Sequence, residues 1–215
     1  MEQLKNEFVV NRPIEQAWVV LTNLERIAPC LPGAQLQEVE GEIYRGVVKV
    51  KLGPISTSFK GEANFLERDD VGHRAVLKGE GRDTGGKGNA DALITAQLES
   101  VTAETTKCIV TTELKVTGKV AQFGRGIMGD VSEKLMTQFA NNLNTMLDAD
   151  TDTDEPATDT PAEAAPTAPT VRTIHGPAAE PIELSEFAGG AVLKRLAPFL
   201  GGLVVLLLVL RRLRK

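Results

Sequence analysis

From Ala34 to Gly118 apolar residues recur with a period of two, and on either side of that stretch the period is that of a helix. The alternation divides into segments 34–40, 43–52, 55–67, 73–82, 89–100 and 105–117, separated by turn signals at Gly53-Pro54, Asp69-Asp70 and the Gly-rich 83–89. Strands in series at hairpin spacing predict an antiparallel meander. Upstream, EQLKNEFVV alternates well enough to be a first strand. Pro13 suits the first helical position, where a missing N–H costs nothing, and Glu15 suits the positive end of a helix. Ile14, Ala17, Trp18 and Leu21 then share one apolar face, and Leu24, Ile27 and Ala28 allow a second short turn before Pro29, Pro32 and Gly33. Downstream, Lys119–Leu147 reads as one long amphipathic helix, with Val120, Gly124, Ile127, Met128, Lys134, Leu135, Gln138, Asn142, Thr145 and Met146 within about 60° of Val131. The expected class is α+β: a curved antiparallel sheet around a long C-terminal helix.

The face that alternation turns toward that helix is poor in bulk. Gly46, Gly61, Ala63, Ala75, Gly79, Gly81, Ala90, Ala92 and Ala96 all fall on it. A sheet packed tightly on a helix fills such positions with Val, Ile and Leu. Small residues there predict an internal apolar cavity; glycines in strands also mark bends, and a bent sheet encloses space as well. The candidate lining of that cavity is Tyr44, Val48, Phe59, Phe65, Ile94, Val110 and Leu114 from the sheet. The helix adds Phe123, Ile127, Met128, Val131, Leu135, Gln138 and Asn142. The amides of Gln138 and Asn142 are spaced to meet the polar end of a ligand, or to face water where the helix outruns the sheet. Gly118, Gly124, Gly126 and Gly129 weaken the start of the helix at about 1 kcal/mol each, which suits either a mobile gate or close packing on a neighbour.

Convergent polar groups for catalysis are missing from this pattern. No inward-facing carboxylates pair for general acid–base work, and His73 and His175 lie far apart, so neither a metal site nor a triad is expected. Asp83-Thr84-Gly85-Gly86-Lys87-Gly88 misses the spacing of a phosphate loop and reads as a hairpin turn. Cys30 and Cys108 match no zinc or redox spacing and read as buried free thiols. The slightly acidic body, with few aromatics, does not suit nucleic acid. A binding module fits better than an enzyme.

Charge divides the chain into three. Residues 1–147 carry 17 Lys+Arg against 19 Asp+Glu; residues 148–186 carry 1 against 10; residues 187–215 carry 6 basic residues and no acid. The first is the globular domain. The second, rich in Pro, Ala and Thr, cannot bury enough apolar surface to order itself and reads as a disordered tether spanning roughly 35 Å. The third ends LAPFLGGLVVLLLVLRRLRK. Its uncharged run, 196–210, reaches about 22 Å as a helix, short of the roughly 30 Å of a bilayer core. A span would also place RRLRK outside, against the positive-inside tendency. A helix lying in the interface keeps Lys194, Arg195, Arg211, Arg212, Arg214 and Lys215 at anionic headgroups and sinks Leu196, Phe199, Leu200, Leu203, Leu206, Leu207 and Leu210 into the leaflet. Interfacial anchor, tail-anchored span and partner-binding helix are the three readings. The first two make the tail a membrane address, and since MEQLKNEFVV is no signal peptide, the address is the cytoplasmic face of the cell membrane.

Three stretches carry a family resemblance: PIEQAWVVLTNLERIAPCLPGA (13–34), YRGVVKVKLGPI (44–55) and VTGKVAQFGRGIMGDVSEKL (116–135). Together, over about residues 1–147, they resemble the carbon monoxide dehydrogenase CoxG family within the SRPBCC/START-like superfamily. The resemblance implies a helix-grip fold. It also implies a non-catalytic accessory protein that brings a molybdenum-containing carbon monoxide dehydrogenase to the membrane. START-like relatives hold hydrophobic ligands between sheet and helix, and with a respiratory dehydrogenase as partner the expected ligand is a quinone or another lipophilic small molecule. The alternatives are a pure tether that carries nothing and an enzyme akin to the superfamily's cyclases and hydrolases. The lack of inward acid–base groups argues against the last.

Overall fold

The computed structural model describes residues 1–52, 55–86, 88–118, 120–151, 171–174 and 182–183. The period-two stretch folds into strands whose limits differ from the sequence segments by two residues or fewer: β2 Ala34–Glu40, β3 Ile43–Leu52, β4 Ile55–Asp69, β5 Arg74–Asp83, β6 Asn89–Thr102 and β7 Thr105–Val116. They follow β1 (Glu2–Val10), α1 (Ile14–Leu21), α2 (Leu24–Ile27) and a 3-10 turn at Ala28–Cys30. A second 3-10 turn, Val120–Phe123, leads into the long α3, Gly124–Thr151. The described strands form one sheet in the order β1-β7-β6-β5-β4-β3-β2-β8, where β8 is Arg172–Thr173. The meander is thus closed on one side by β1, which pairs antiparallel with β7. Two compact units divide the chain, Met1–Val50 with Thr57–Ile182 and Lys51–Ser56 with Glu183–Lys215, and the whole sheet-and-helix lining proposed from the sequence belongs to the first.

Pro13 is the residue before α1 rather than its first helical residue: its backbone is extended, and its carbonyl accepts the Ala17 N–H at 2.9 Å. Ala17, Trp18 and Val20 are the buried face of α1, and the Asn23 side chain caps α2 by accepting the Arg26 N–H. Helical structure after Gly118 begins as a 3-10 turn, and Gly118 itself holds φ +82°, a conformation glycine adopts without strain. At its far end α3 passes Leu147 by a turn. The Arg12 guanidinium donates to the Leu147 carbonyl at 2.6 Å and to the Asp148 carboxylate at 3.1 Å, satisfying groups that a helix terminus leaves open.

The core lies at one end of the sheet, under α1 and the second half of α3. Phe8, Val10, Leu98, Cys108 and Val110 from the strands meet Trp18, Phe139, Leu143 and Leu147. Phe8 and Phe139 pack edge to face with centroids 5.5 Å apart, and Leu143 and Val10 are fully buried. Within the stretch read as a tether, residues 171–174 join the fold: Thr173 pairs with Glu38 and Arg172 with Val39 on the outer edge of β2. Residues 148–151 of that stretch belong to α3, and a further short strand, β9 (Ile182–Glu183), pairs with β3; its remaining residues and the apolar and basic residues 194–215 lie outside the described residues.

Candidate functional site

Strand register lays out the inner face row by row. The innermost row, Leu98, Cys108 and Phe8, belongs to the core. Next come Ala75, Ala96 and Val110, then Phe65, Leu77, Ile94, Thr112 and Leu4. Beyond them Ala63, Gly79 and Ala92 stand side by side on β4, β5 and β6, and the following row repeats the pattern with Gly61, Gly81 and Ala90. These two rows form a block without side chains beyond Cβ on three neighbouring strands, and every residue in it is half-buried. Leu114 and Val116 on β7 flank the block.

The glycines of this face do two different things. A Cβ on Gly79 would meet no atom within 4 Å, so the space above it is open. A Cβ on Gly61 would run into the Glu80 carbonyl, and one on Gly46 into the Gln35 carbonyl, so there glycine permits a close approach of backbone. Both sequence readings of the small residues, room and bending, therefore have positions that fit them.

The sheet candidates fall into two groups. Val110 is in the core, and Phe65 and Ile94 pack against it. Tyr44, Phe59 and Leu114 are half-buried, and Val48 is exposed at 37%. On α3, Met128 and Val131 are buried, Leu135 and Gln138 are half-buried, and Ile127 is exposed at 38%. The side chain of Phe123 is outside the described residues. Asn142 has a structural partner: its Nδ2 donates to the Cys30 carbonyl at 3.0 Å, fastening α3 to the turn after α2. Gln138 differs, since its Oε1 is buried and has no hydrogen-bond partner among the described residues.

Fastenings of α3 to β1 run from its middle onward. Ser132 Oγ donates to Asn6 Oδ1 at 2.6 Å. Asn144 clamps the end of β1 twice, accepting the Asn11 N–H and donating to the Val9 carbonyl, both at 2.9 Å. Ahead of Ser132, a Cβ on Gly126 or Gly129 would meet nothing within 4 Å, so close packing does not account for these two glycines. Gly129 and Ser132 instead border an open groove of about 590 Å³ along β1, walled by Met1 to Asn6. Sequence periodicity did not reveal this groove, because it depends on where α3 crosses the edge strand.

A second cluster missed from the sequence gathers around Trp18. Its indole N–H donates to Asp70 Oδ1 at 2.8 Å, and its ring meets His73 edge-on at 5.5 Å. His73, at φ +47°, holds Nε2 3.3 Å from Glu15 Oε2. The Trp18 hydrogen bond, followed by one from Arg68, holds the Asp70 carboxyl below the usual carboxylate range. Burial pushes the Cys108 thiol up to about 12 and raises Cys30 as well. Among the described residues no group of His, Cys, Asp and Glu is placed to hold a metal ion, and no helix is long and apolar enough to cross a membrane. Asp83 closes the Gly-rich hairpin, accepting from the Gly86 N–H at 2.8 Å, and Arg82 pairs with Asn89 across it.

Comparison with solved structures gives the fold. A conserved protein from Geobacillus kaustophilus superposes with a TM-score of 0.60 at 18% identity, over 66% of this chain and 93% of that one. A Thermus thermophilus protein gives 0.51 at 16% identity, over 69% and 98%. An aromatase/cyclase from a Streptomyces species gives 0.50 at 12% identity, over 70% and 95%. These share the curved antiparallel sheet and long C-terminal helix of the helix-grip fold expected from the sequence. Among curated proteins none matches the chain. The family model for the G-subunit of carbon monoxide dehydrogenase, CoxG, matches residues 7–148, nearly the whole of the sheet and α3. The chain belongs to the carbon monoxide dehydrogenase CoxG family.

Proposed function

We propose that the domain is a carrier for a lipophilic ligand, with a respiratory quinone as the candidate, and that it serves a molybdenum carbon monoxide dehydrogenase at the cytoplasmic face of the membrane. The observation that carries this reading is the block of Ala63, Gly79, Ala92, Gly61, Gly81 and Ala90, which follows an apolar row and is capped by open space at Gly79. A flat ring needs such a smooth apolar wall, and a few polar groups at its edge fix orientation. Gln138 fits that need, with a buried amide oxygen that has no hydrogen-bond partner among the described residues. The family supplies the rest: a dehydrogenase in the cytoplasm must pass electrons to a carrier that lives in the bilayer, and a membrane-anchored cup able to lift that carrier out connects the two. The chain itself contributes binding and positioning, with no proton or electron step assigned to its residues. The basic, apolar tail is the anchor in this reading.

The test is native mass spectrometry with organic extraction of the full chain purified from a quinone-making host. Quinone at near one per chain, or saturable uptake of added quinone, is the expected result. A chain that is empty and takes up none would leave a tether that recruits the enzyme without carrying anything.

A further inference from the structure

The acidic stretch between domain and tail contains one Lys or Arg, Arg172, and it lies in the short run Val171-Arg172-Thr173-Ile174, rich in β-branched residues and free of acid and proline. That run is what pairs with the outer edge of β2. Three independent features make the seat. Thr173 and Arg172 pair antiparallel with Glu38 and Val39. Gln37 is squeezed out of the β2–β3 ladder by a bulge between Leu36 and Glu38, and its carbonyl accepts the Ile174 N–H at 2.7 Å. The Arg172 guanidinium reaches Glu25 Oε1 on α2 at 2.7 Å. A bulge leaves a backbone carbonyl unpaired, and here the tether satisfies it, while the strand covers an edge that would otherwise invite another chain.

We propose that residues 171–174 are a strap: a segment that docks in cis on the β2 edge and Glu25 and shields that edge from an extended strand of a partner. The intervening residues 152–170 span up to roughly 60 Å of extended chain, ample to double back. So small a strand, held by few backbone bonds and an exposed ion pair, opens readily, which makes the cover removable. A partner that offers its own extended strand to β2 competes for the same edge. The proposal requires neither a ligand in the domain nor an anchored tail.

Amide hydrogen exchange on the full chain in detergent tests it. Residues 171–174 exchange on the order of tenfold more slowly than residues 157–168. Ile174→Pro, which removes the bonded N–H, abolishes that protection and speeds exchange at Gln37–Val39 without changing β5–β7. Arg172→Glu does the same, and adding Glu25→Arg restores protection. Exchange of 171–174 at the rate of its neighbours, or failure of the charge swap to rescue, would each overturn the strap. So would protection that disappears on dilution together with a dimer mass, because that places the segment on a second copy.

Discussion

Asp70 is held down by a residue far from it in sequence. The Trp18 indole and the Arg68 guanidinium both donate to its Oδ1 at 2.8 Å, and both bonds favour the carboxylate. A folded value below the unfolded one means that this stabilisation is complete above the unfolded value, about 3.9, and fades as pH falls through the lower folded value. Trp18 is the only tryptophan, so its emission reports the event directly. Emission should show a step below about pH 4, and Asp70→Asn should remove that step while circular dichroism stays folded. An acid step that persists unchanged in Asp70→Asn would contradict the assignment. Cys108 makes a separate prediction. With its thiol pushed up to about 12 by burial, almost no thiolate exists at pH 8. Iodoacetamide should leave Cys108 unmodified in the folded chain and label it in urea. That the cysteines are free and buried could be read from their spacing; that Asp70 answers to Trp18 could not, since a turn and a helix meet there only after folding.

Strands β2 to β7 were legible because a half-buried sheet imposes a period of two on the sequence, and every connection except Ala103-Glu104 carries Gly, Pro or Asp between the strand segments. Which small residues face open space was not legible, because Gly61 and Gly79 have the same local signature and differ only in what lies opposite. That difference is testable. Gly79→Val adds a β-branched side chain into empty space in a strand, which should leave stability unchanged or raise it by about 0.5–1 kcal/mol. Gly61→Val pushes a side chain against the Glu80 carbonyl on β5 and should cost roughly 1–3 kcal/mol. Thermal melts separate the two, and extraction adds the functional half: Gly79→Val should keep its fold and lose bound quinone. Equal destabilisation by both substitutions would mean that the space above Gly79 is filled. The helix teaches the same lesson. The stripe through Val131 and Leu135 followed from period, but the partner of Asn142, a carbonyl at Cys30, and the buried, unpaired oxygen of Gln138 depend on how α3 lies.

Over the whole chain the charges are sorted: a nearly neutral domain, an acidic connection and a basic end. The outline of that partition came from composition, but the short strand at Arg172–Thr173 did not, since two paired residues leave no periodic trace and owe their seat to an edge formed more than a hundred residues earlier. The partition has a consequence for how the chain meets lipid. If the tail lies in the interface, its affinity comes from two sources: apolar area from Leu196 to Leu210, and attraction of Arg211, Arg212, Arg214 and Lys215 to anionic headgroups at about 1 kcal/mol each. Replacing those four by Ser should weaken binding of the full chain to vesicles containing phosphatidylserine by on the order of a thousandfold. The parent chain should show the same loss in part as salt is raised from 0.1 to 0.5 M, because the screening length shrinks to a few ångströms. A spanning helix behaves differently: once inserted it stays in neutral vesicles and resists salt. Sedimentation of the parent and the four-fold variant with neutral and anionic vesicles therefore distinguishes the two. Retention on neutral lipid that resists salt and does not pass to added empty vesicles would show that the apolar run crosses the bilayer, and that the acidic connection serves a fixed anchor rather than an exchangeable one.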